Sequence, residues 1–241
     1  MTGLGTLINT GCVVLGGLLG NVVSRLFSPD QQEALNKACG VSVLFLAIAG
    51  AMEGMLSIES DSIASGRSML VVLCLALGTI VGELANMEGA FERFGTWLRE
   101  KTGNSGDTRF VDAFVTTSLT VCIGAMAIVG AIQDGILGDY SLLAVKSVLD
   151  LIIVAVMASS MGKGSVFSAV PIFLLEGGVT LLASLLAPVM TPAAIANLSL
   201  VGSILVFCVG VNLVWGKTLR VANMLPALVF SVLAAYAPWS L

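Results

Sequence analysis

The sequence predicts an all-α polytopic membrane protein, a single bundle of about eight transmembrane helices. Of its 241 residues, 57% are hydrophobic and only 11% are charged, whereas a soluble domain carries about 25% charged residues. The mean hydropathy is +1.01. The apolar residues fall in blocks of about 20, which are long enough to cross a ~30 Å hydrocarbon core. A transmembrane β-barrel is excluded because its strands would be shorter and would alternate apolar with polar residues.

Eight apolar blocks define the predicted spans, and a polar connection at about 85–109 separates the third from the fourth. The connection is too short for a second domain, so residues 1–241 are predicted to form one integral membrane domain. Residues 88–101 place apolar side chains opposite charged ones, which predicts a short amphipathic helix in the membrane interface. A solvated linker is the alternative interpretation. The blocks are 4–24, 38–57, 68–86, 110–133, 141–161, 165–187, 195–215 and 222–239.

The basic residues give this bundle a predicted orientation. When eight spans alternate, nine of the eleven basic residues fall on one side, Arg67 alone falls on the other, and Lys146 lies within a span. The positive-inside rule puts the nine residues in the cytoplasm and both termini outside. The nine are Arg25, Lys37, Arg93, Arg99, Lys101, Arg109, Lys163, Lys217 and Arg220.

The first four spans contain a direct internal similarity. Residues 15–20 resemble residues 77–82, and residues 47–54 resemble residues 127–135. Spans one and two, and spans three and four, are therefore interpreted as copies of a two-helix unit with one orientation. Coincidence in a sequence built from few residue types is the alternative.

A fainter, inverted similarity joins the segment 28–50 to the segment 191–210, a relation that transporters show. Several spans also carry glycines at small-x-x-x-small spacing, which lets helix backbones approach closely in lipid. This spacing predicts a tightly packed bundle and is compatible with a homo-oligomer. The pairs are Gly16 and Gly20, Gly50 and Gly54, and Gly78 and Gly82.

Composition excludes several classes of function. Histidine is absent, which excludes imidazole metal ligands and Ser-His-Asp hydrolysis. The net charge of −4 gives no electrostatic basis for a nucleic-acid partner. The five cysteines contain no Cys-x-x-Cys pair, and no nucleophile with a suitable base is found. We therefore expect no metal, no cofactor and no enzymatic activity, with the lipid bilayer as the main partner.

Three charged residues lie inside predicted spans: Lys146, Asp150 and Glu176. A charge at a helix centre costs about 2.5–3.5 kcal/mol on insertion scales, so each one needs a partner or a function. Lys146 and Asp150 are four residues apart on one helical face, where they can pair. Asp150 and Glu176 are each predicted about 15 Å deep, near mid-membrane. Such a group suits a cation- or proton-coupled site, and a salt bridge that only fastens two helices is the alternative.

The sixth span carries a second signal for a site. Pro171 removes a backbone N–H, and two glycines follow Glu176, so a kink or break is predicted near mid-membrane. Discontinuous helices form the binding sites of many transporters. Asn223 and Pro226 repeat the pattern more weakly in the eighth span. The other polar residues of the spans, Asn9, Thr10, Thr116, Thr117 and Asn212, are expected to hydrogen-bond across helices more than to line a cavity.

Ordered motifs in four regions resemble a known family. They are Gly138-Asp139-x-Ser141, then Lys146-Ser147-x-Leu149-Asp150, then Ser168-x-x-Pro171, and then Asn223-Met224-Leu225-Pro226-Ala227-Leu228. The whole chain thereby resembles the bacterial inner-membrane family called domain of unknown function 554, the YqgA-like proteins. The resemblance implies a multi-pass protein of the bacterial plasma membrane with unestablished biochemistry, often suspected of transport.

The resemblance also separates the candidate site residues. In the family pattern, the position that matches Glu176 is commonly glutamine, whereas Lys146 and Asp150 belong to the matched motif. The leading hypothesis is a transporter or channel-like carrier for a small polar solute or cation, with its site at Lys146, Asp150, Glu176, Pro171 and Asn223. The alternative is a membrane scaffold or sensor subunit whose buried charges only lock the bundle.

Overall fold

The computed structural model describes residues 2–59 and 62–236, and most of them are helical. The first half begins with α1 (Leu4–Val23), a 3-10 turn (Ser24–Leu26) and α2 (Pro29–Met55). A short antiparallel hairpin of β1 (Leu56–Glu59) and β2 (Ser62–Ser65) pairs Leu56 with Ser65. The half ends with α3 (Ser68–Ala85), α4 (Met87–Lys101), α5 (Phe110–Cys122) and α6 (Ala125–Leu137).

The second half is also helical. It consists of α7 (Ser141–Met161), a 3-10 segment (Lys163–Ser168), α8 (Ala169–Leu181), α9 (Ala183–Leu186), α10 (Pro192–Trp215), α11 (Val221–Met224) and α12 (Pro226–Ala234). Helices α2 and α5 begin, and helices α7 and α10 end, at the same end of the bundle. We call this end the basic end.

The chain is an all-α polytopic protein. Within the described residues, six helical segments are long and apolar enough to cross a membrane: α1, α2, α3, α7, residues 163–181 and α10. A seventh is added if α5 and α6, which are bent by 62°, count as one span. Residues 221–234 form a shorter apolar segment. The predicted eighth block, 222–239, runs past the described residues.

Two helix boundaries differ from the apolar blocks for a simple reason. Helix α2 begins at Pro29, well before the predicted block at 38, because Ser28 and Gln31 form a capping box in front of it. Helix α10 begins in the same way, with Thr191 accepting a hydrogen bond from the Ala194 N–H at 3.2 Å. Hydropathy locates only the part of a helix that lies in lipid, whereas these caps set its true start.

The break predicted near mid-membrane in the sixth span is wrong, and block 165–187 is interrupted instead at the ends of α8, where a 3-10 segment precedes Ala169 and Leu182 separates α8 from α9. Helix α8 runs without interruption from Ala169 to Leu181, and Pro171 lies in its first turn. A proline is tolerated there because first-turn N–H groups have no partner within the helix. The break predicted near Pro226 is confirmed, since α11 ends at Met224 and α12 begins at Pro226.

A break that the sequence analysis missed divides the fourth apolar block. Ile123 is extended, and Gly124 has φ 152° and ψ 148°, a conformation that glycine adopts far more readily than other residues. Helix α5 therefore ends at Cys122, and its last carbonyl groups lack partners within the helix.

Glycines bring several helix pairs into backbone contact. A Cβ placed on Gly16 would overlap the carbonyl group of Leu151, and one on Gly20 would overlap that of Ala155. Helices α1 and α7 therefore touch along their backbones and run in the same direction, as the close packing predicted from the glycine spacing requires.

Three more pairings have defined directions. Gly50 and Gly54 of α2 abut Ser203 and Leu200 of α10, so these two helices are antiparallel. The same holds for α3 with α11 and α12, because Gly78 abuts Ala227 and Gly82 abuts Asn223. The fourth pairing joins α5 and α6 to the 3-10 segment and α8. It is parallel, because Gly164 abuts Phe110 and Gly135 abuts Thr180.

The largest buried apolar cluster of the described residues fixes the first half of α5. Phe110 and Phe114 of α5 pack there with Met157 of α7 and with Leu205 and Val209 of α10. These side chains are fully or almost fully buried. Since protein interiors are close-packed, these contacts hold the first half of α5 in place.

Candidate functional site

Lys146 and Asp150 form a buried ion pair on α7. They lie one turn apart, and the ammonium group of Lys146 contacts Oδ2 of Asp150. Only 8% of the Lys146 side chain and 6% of the Asp150 side chain are exposed. The pair that the spacing predicted is therefore formed, and it lies inside the bundle rather than on its surface.

The break after α5 supplies a further ligand for Lys146. Nζ of Lys146 donates a hydrogen bond of 2.9 Å to the carbonyl oxygen of Val121, in the last turn of α5. The C-terminal end of a helix carries partial negative charge, and its last carbonyl groups are free. A cation is favourable at this point, so Lys146 stabilises the interrupted end of α5.

Glu176 of α8 completes the charged group. It is fully buried, and its Oε1 lies 3.6 Å from Nζ of Lys146. The side-chain amide of Asn9 in α1 donates to Asp150 Oδ2 at 3.1 Å and to Glu176 Oε1 at 2.7 Å. We call Asn9, Lys146, Asp150 and Glu176 the central cluster. It joins α1, α7 and α8.

The central cluster has unused hydrogen-bonding capacity. Within the described part of the chain, Oε2 of Glu176 and Oδ1 of Asn9 are buried without a hydrogen-bond partner. When both carboxyl groups are ionised, two negative charges face one ammonium group. A buried polar atom without a partner costs about 1–3 kcal/mol, so these oxygens need an explanation.

The comparisons with known proteins agree on a family. The family model for a protein of unknown function, DUF554, matches residues 4–236. The chain belongs to the DUF554 family. An uncharacterised membrane protein of Bacillus subtilis (strain 168), YdfK, is 27% identical over 224 residues, covering 93% of this chain and 92% of the relative. The uncharacterised protein YqgA of Escherichia coli (strain K12) is 26% identical over 242 residues, covering 98% of each chain. No solved structure matches this chain.

In this DUF554 member, polar groups continue from the central cluster towards the end opposite the basic end. Thr180, one turn after Glu176, donates to the carbonyl oxygen of Ala131 at 3.2 Å, and its hydroxyl lies 3.4 Å from that of Thr6. Beside Thr6, the Gly5 N–H donates to Oδ2 of Asp134 at 2.9 Å. Asp134 is fully buried, and its Oδ1 is a further buried oxygen without a partner among the described residues.

Two predicted site residues lie elsewhere. Asn223 accepts a hydrogen bond of 2.7 Å from the Glu88 N–H, and it thereby satisfies a first-turn N–H of α4, whose N-cap is Asn86. Pro171 lies in the first turn of α8, and no hydrogen bond in the described ranges connects it or Asn223 to the central cluster. The structure thus brings Lys146, Asp150 and Glu176 together, whereas Pro171 and Asn223 lie outside this group.

Sequence reasoning undervalued Asn9 and missed the role of Asp134. Asn9 was expected to bond across helices, which it does, but its bonds reach both acids of the site. Asp134 stood near the end of an apolar block and was taken only as part of a repeat. The sequence does not show that Asp134 is fully buried, because a carboxyl group near a span end is ordinarily solvated.

A second group of charges lies at the basic end. Nζ of Lys217 is 3.1 Å from Oε1 of Glu88 and also contacts Oε1 of Glu92. Oε2 of Glu88 accepts the Ala222 N–H at 3.0 Å. We call Glu88, Glu92 and Lys217 the basic-end cluster. Burial lowers the pKa of Lys217, but hydrogen bonds to Glu92 and Glu88 outweigh burial and raise that pKa above its usual value.

Proposed function

We propose that this DUF554 protein is a secondary transporter or channel-like carrier of the bacterial inner membrane, with a monovalent-cation or proton site at the central cluster. One observation carries the proposal. The central cluster places two carboxyl groups and one ammonium group in a sealed interior, and Oε2 of Glu176 is left without a partner. A cluster that served only to fasten helices would be expected to balance its charges and satisfy its oxygens.

The charge count favours a single positive charge as the missing component. An excess negative charge is expensive in a low-dielectric interior, and a bound proton or Na⁺ would neutralise it. Oε2 of Glu176 and Oδ1 of Asn9 belong to side chains that already touch, so they can serve one ion together. No group of three or more acidic or thiol side chains in the described residues could hold a metal ion, which favours a monovalent ion.

The architecture supports a transport role. In a chain of eight alternating spans, the first (α1) and fifth (α7) are parallel, and so are the fourth (α5 and α6) and sixth (α8). The second (α2) and seventh (α10) are antiparallel, and so are the third (α3) and eighth (α11 and α12). These are the four directions that the glycine contacts have. The pairing is also symmetric. If spans one, two and three are exchanged with spans six, seven and eight, and span four with span five, the first–fifth pair becomes the fourth–sixth pair, and the other two pairs are unchanged. Inverted repeats and broken helices near a central site are typical of secondary transporters.

The orientation follows from the same arrangement. With eight spans, the basic end faces the cytoplasm by the positive-inside rule, and both termini lie outside. Helix α4 then lies at the cytoplasmic membrane surface, where its apolar residues Phe91, Phe94 and Leu98 pack against the bundle.

Ion flux into proteoliposomes tests the proposal. Vesicles that contain the purified protein and a pH- or Na⁺-sensitive dye should respond to an imposed gradient of the transported ion. Asp150→Asn and Lys146→Met should each abolish the response, whereas Glu92→Gln in the basic-end cluster should retain it. If both central variants carry ions at the parent rate, the central cluster is not the site.

A scaffold or sensor subunit is the second candidate, and one observation favours it. Lys146 and Asp150 contact each other directly, and two cavities of about 670 and 310 Å³ in the described residues are lined neither by them nor by Glu176. For a scaffold, the double variant Lys146→Met with Asp150→Leu should fold at least as well as the parent and lose no function, because an apolar pair of similar volume can replace a buried ion pair. For a transporter, the same protein should fold and carry no ion.

A further inference from the structure

A cavity of about 670 Å³ opens at the basic end, away from the central cluster. It lies where α2 and α5 begin and where α7 and α10 end, and Lys217 and Val221 border it on a further side. Small-molecule sites have volumes of about 300–1,000 Å³, so this cavity could hold a solute the size of an amino acid or somewhat larger.

The deep wall of the cavity is apolar. Val115 and Leu119 of α5 and Val209 and Leu213 of α10 line it, and each of these residues is at least nine-tenths buried. A wall of this kind binds a hydrocarbon group through the apolar area that both surfaces remove from water.

The mouth of the cavity is charged, and its charges differ in their partners. Glu33 pairs with Lys37 at 2.6 Å, and Lys217 pairs with Glu88 at 3.1 Å. Arg109 also lines the cavity, as does Asp112, and neither forms an ion pair with any described residue. One positive and one negative side chain, three residues apart at the start of α5, are therefore available to a ligand.

We propose that this cavity binds a small zwitterionic solute with an apolar side group, such as a hydrophobic α-amino acid. Arg109 would bind the carboxylate, for which a guanidinium group offers paired donors, and Asp112 would bind the ammonium group. The side group would lie against Val115, Leu119, Val209 and Leu213. This inference rests on the proposed function and names its solute.

The cavity and the central cluster share helix α5. Leu119 lines the cavity, and the carbonyl oxygen of Val121, two residues later, accepts the hydrogen bond from Lys146. A solute that shifts the last turn of α5 would therefore change the position of a ligand of Lys146. Binding at the cavity and ion binding at the central cluster would then be coupled, and the coupling would be reciprocal.

Equilibrium binding of radiolabelled leucine to the purified full-length protein in detergent tests this inference. Leucine should bind saturably and should change the fluorescence of Trp215, which lines the mouth, and Trp215→Phe should remove that change. Isopentylamine, which lacks the carboxylate, 4-methylpentanoate, which lacks the ammonium group, and glycine, which lacks the side group, should each compete at least about tenfold less well.

Matched variants locate the site. Arg109→Gln and Asp112→Asn should each weaken leucine binding about tenfold or more, because each removes a charged hydrogen-bond partner. Arg93→Gln is the control, since Arg93 is exposed on α4 and does not line the cavity. The inference is overturned if leucine does not bind, if the amine or the carboxylate alone competes equally well, or if both cavity variants bind as the parent does.

The two proposals can fail separately. Leucine binding without ion flux or leucine uptake in vesicles would support this site and overturn the transport function. Ion flux that depends on Asp150, in a protein that binds no leucine, would support the transport function and overturn this site. Reciprocal coupling predicts that Glu176→Gln retains leucine binding but removes its dependence on the cation.

Discussion

The central cluster and the basic-end cluster have the same charge composition in different surroundings. Each contains one lysine and two carboxyl groups, with Lys146 beside Asp150 and Glu176, and Lys217 beside Glu88 and Glu92. The Lys146 side chain is 8% exposed, whereas that of Lys217 is 45% exposed.

The comparison shows that stoichiometry alone does not define a site. Water and counter-ions reach Lys217 and Glu92, which are 45% and 44% exposed, and screen their charges. Glu88 is buried, but it has Lys217 and the Ala222 N–H as partners. The central cluster has no such supply of water and counter-ions. With both of its acids ionised, its extra negative charge and the unpartnered Oε2 atom of Glu176 support our proposal of a bound ion or proton there. Three pairs of variants separate the clusters.

Removing the lysine should give the largest difference. Lys146→Met leaves two buried carboxyl groups without their cation and should lower the free energy of unfolding by about 3–5 kcal/mol, the usual effect of breaking a buried ion pair. Lys217→Met should lower it by less than about 1 kcal/mol, because Lys217 is 45% exposed and its buried partner Glu88 keeps the hydrogen bond from the Ala222 N–H. Denaturant unfolding in detergent micelles, followed by circular dichroism, measures both values.

Equal losses for the two lysines would contradict this interpretation, because they would mean that water reaches the central cluster as freely as the basic end. A loss that added Na⁺ restores in Lys146→Met would instead sharpen it. In that case a cation would be occupying the position of the deleted ammonium group.

Two buried asparagines, Asn9 and Asn223, give the next comparison. Asn9 donates to two carboxyl groups of the central cluster, and hydrogen bonds to charged groups contribute about 1.5–3 kcal/mol each, so Asn9→Leu should cost about 3 kcal/mol. Asn223 accepts one bond from a backbone N–H, and Asn223→Leu should cost about 1 kcal/mol, as single interhelical bonds in membranes do. The same unfolding measurement applies, and a larger loss for Asn223→Leu would reverse the assigned importance of the two clusters.

The sequence predicted part of the central cluster for a physical reason. Charge is so scarce in the apolar blocks that Lys146, Asp150 and Glu176 stand out, and the four-residue spacing on one helix predicts the first contact without a fold. Asn9 could not be assigned in this way. Its partners are 141 and 167 residues away, and only the packing of α1 against α7 and α8 brings them together.

The helix breaks show what the sequence could not predict. Pro171 looked like an interruption because proline usually ends a helix, yet a first-turn position is harmless. The real interruption, at Ile123 and Gly124, lies in a continuous apolar block, and many other glycines of this chain lie at helix contacts, so a glycine alone does not predict a break. Hydropathy contains no term for backbone conformation, so it detected neither the break nor the carbonyl group that Lys146 uses.

The smallest expected effect tests the bound ion most directly. Glu176→Gln keeps an oxygen that can accept the bond from Asn9 and removes one negative charge from the central cluster. The free energy of unfolding of the variant should therefore lie within about 1 kcal/mol of that of the parent in the absence of the ion.

The free energy of unfolding of the parent should rise with the concentration of the bound ion, by about 1.4 kcal/mol at ten times its Kd, because an ion that binds only the folded protein stabilises it. Glu176→Gln should lose this gain and Glu92→Gln should keep it, measured by thermal unfolding in Na⁺, K⁺ and choline buffers and across pH. If Glu176→Gln keeps the full gain, the ion binds somewhere other than the central cluster, and the difference between the two clusters is one of hydration alone.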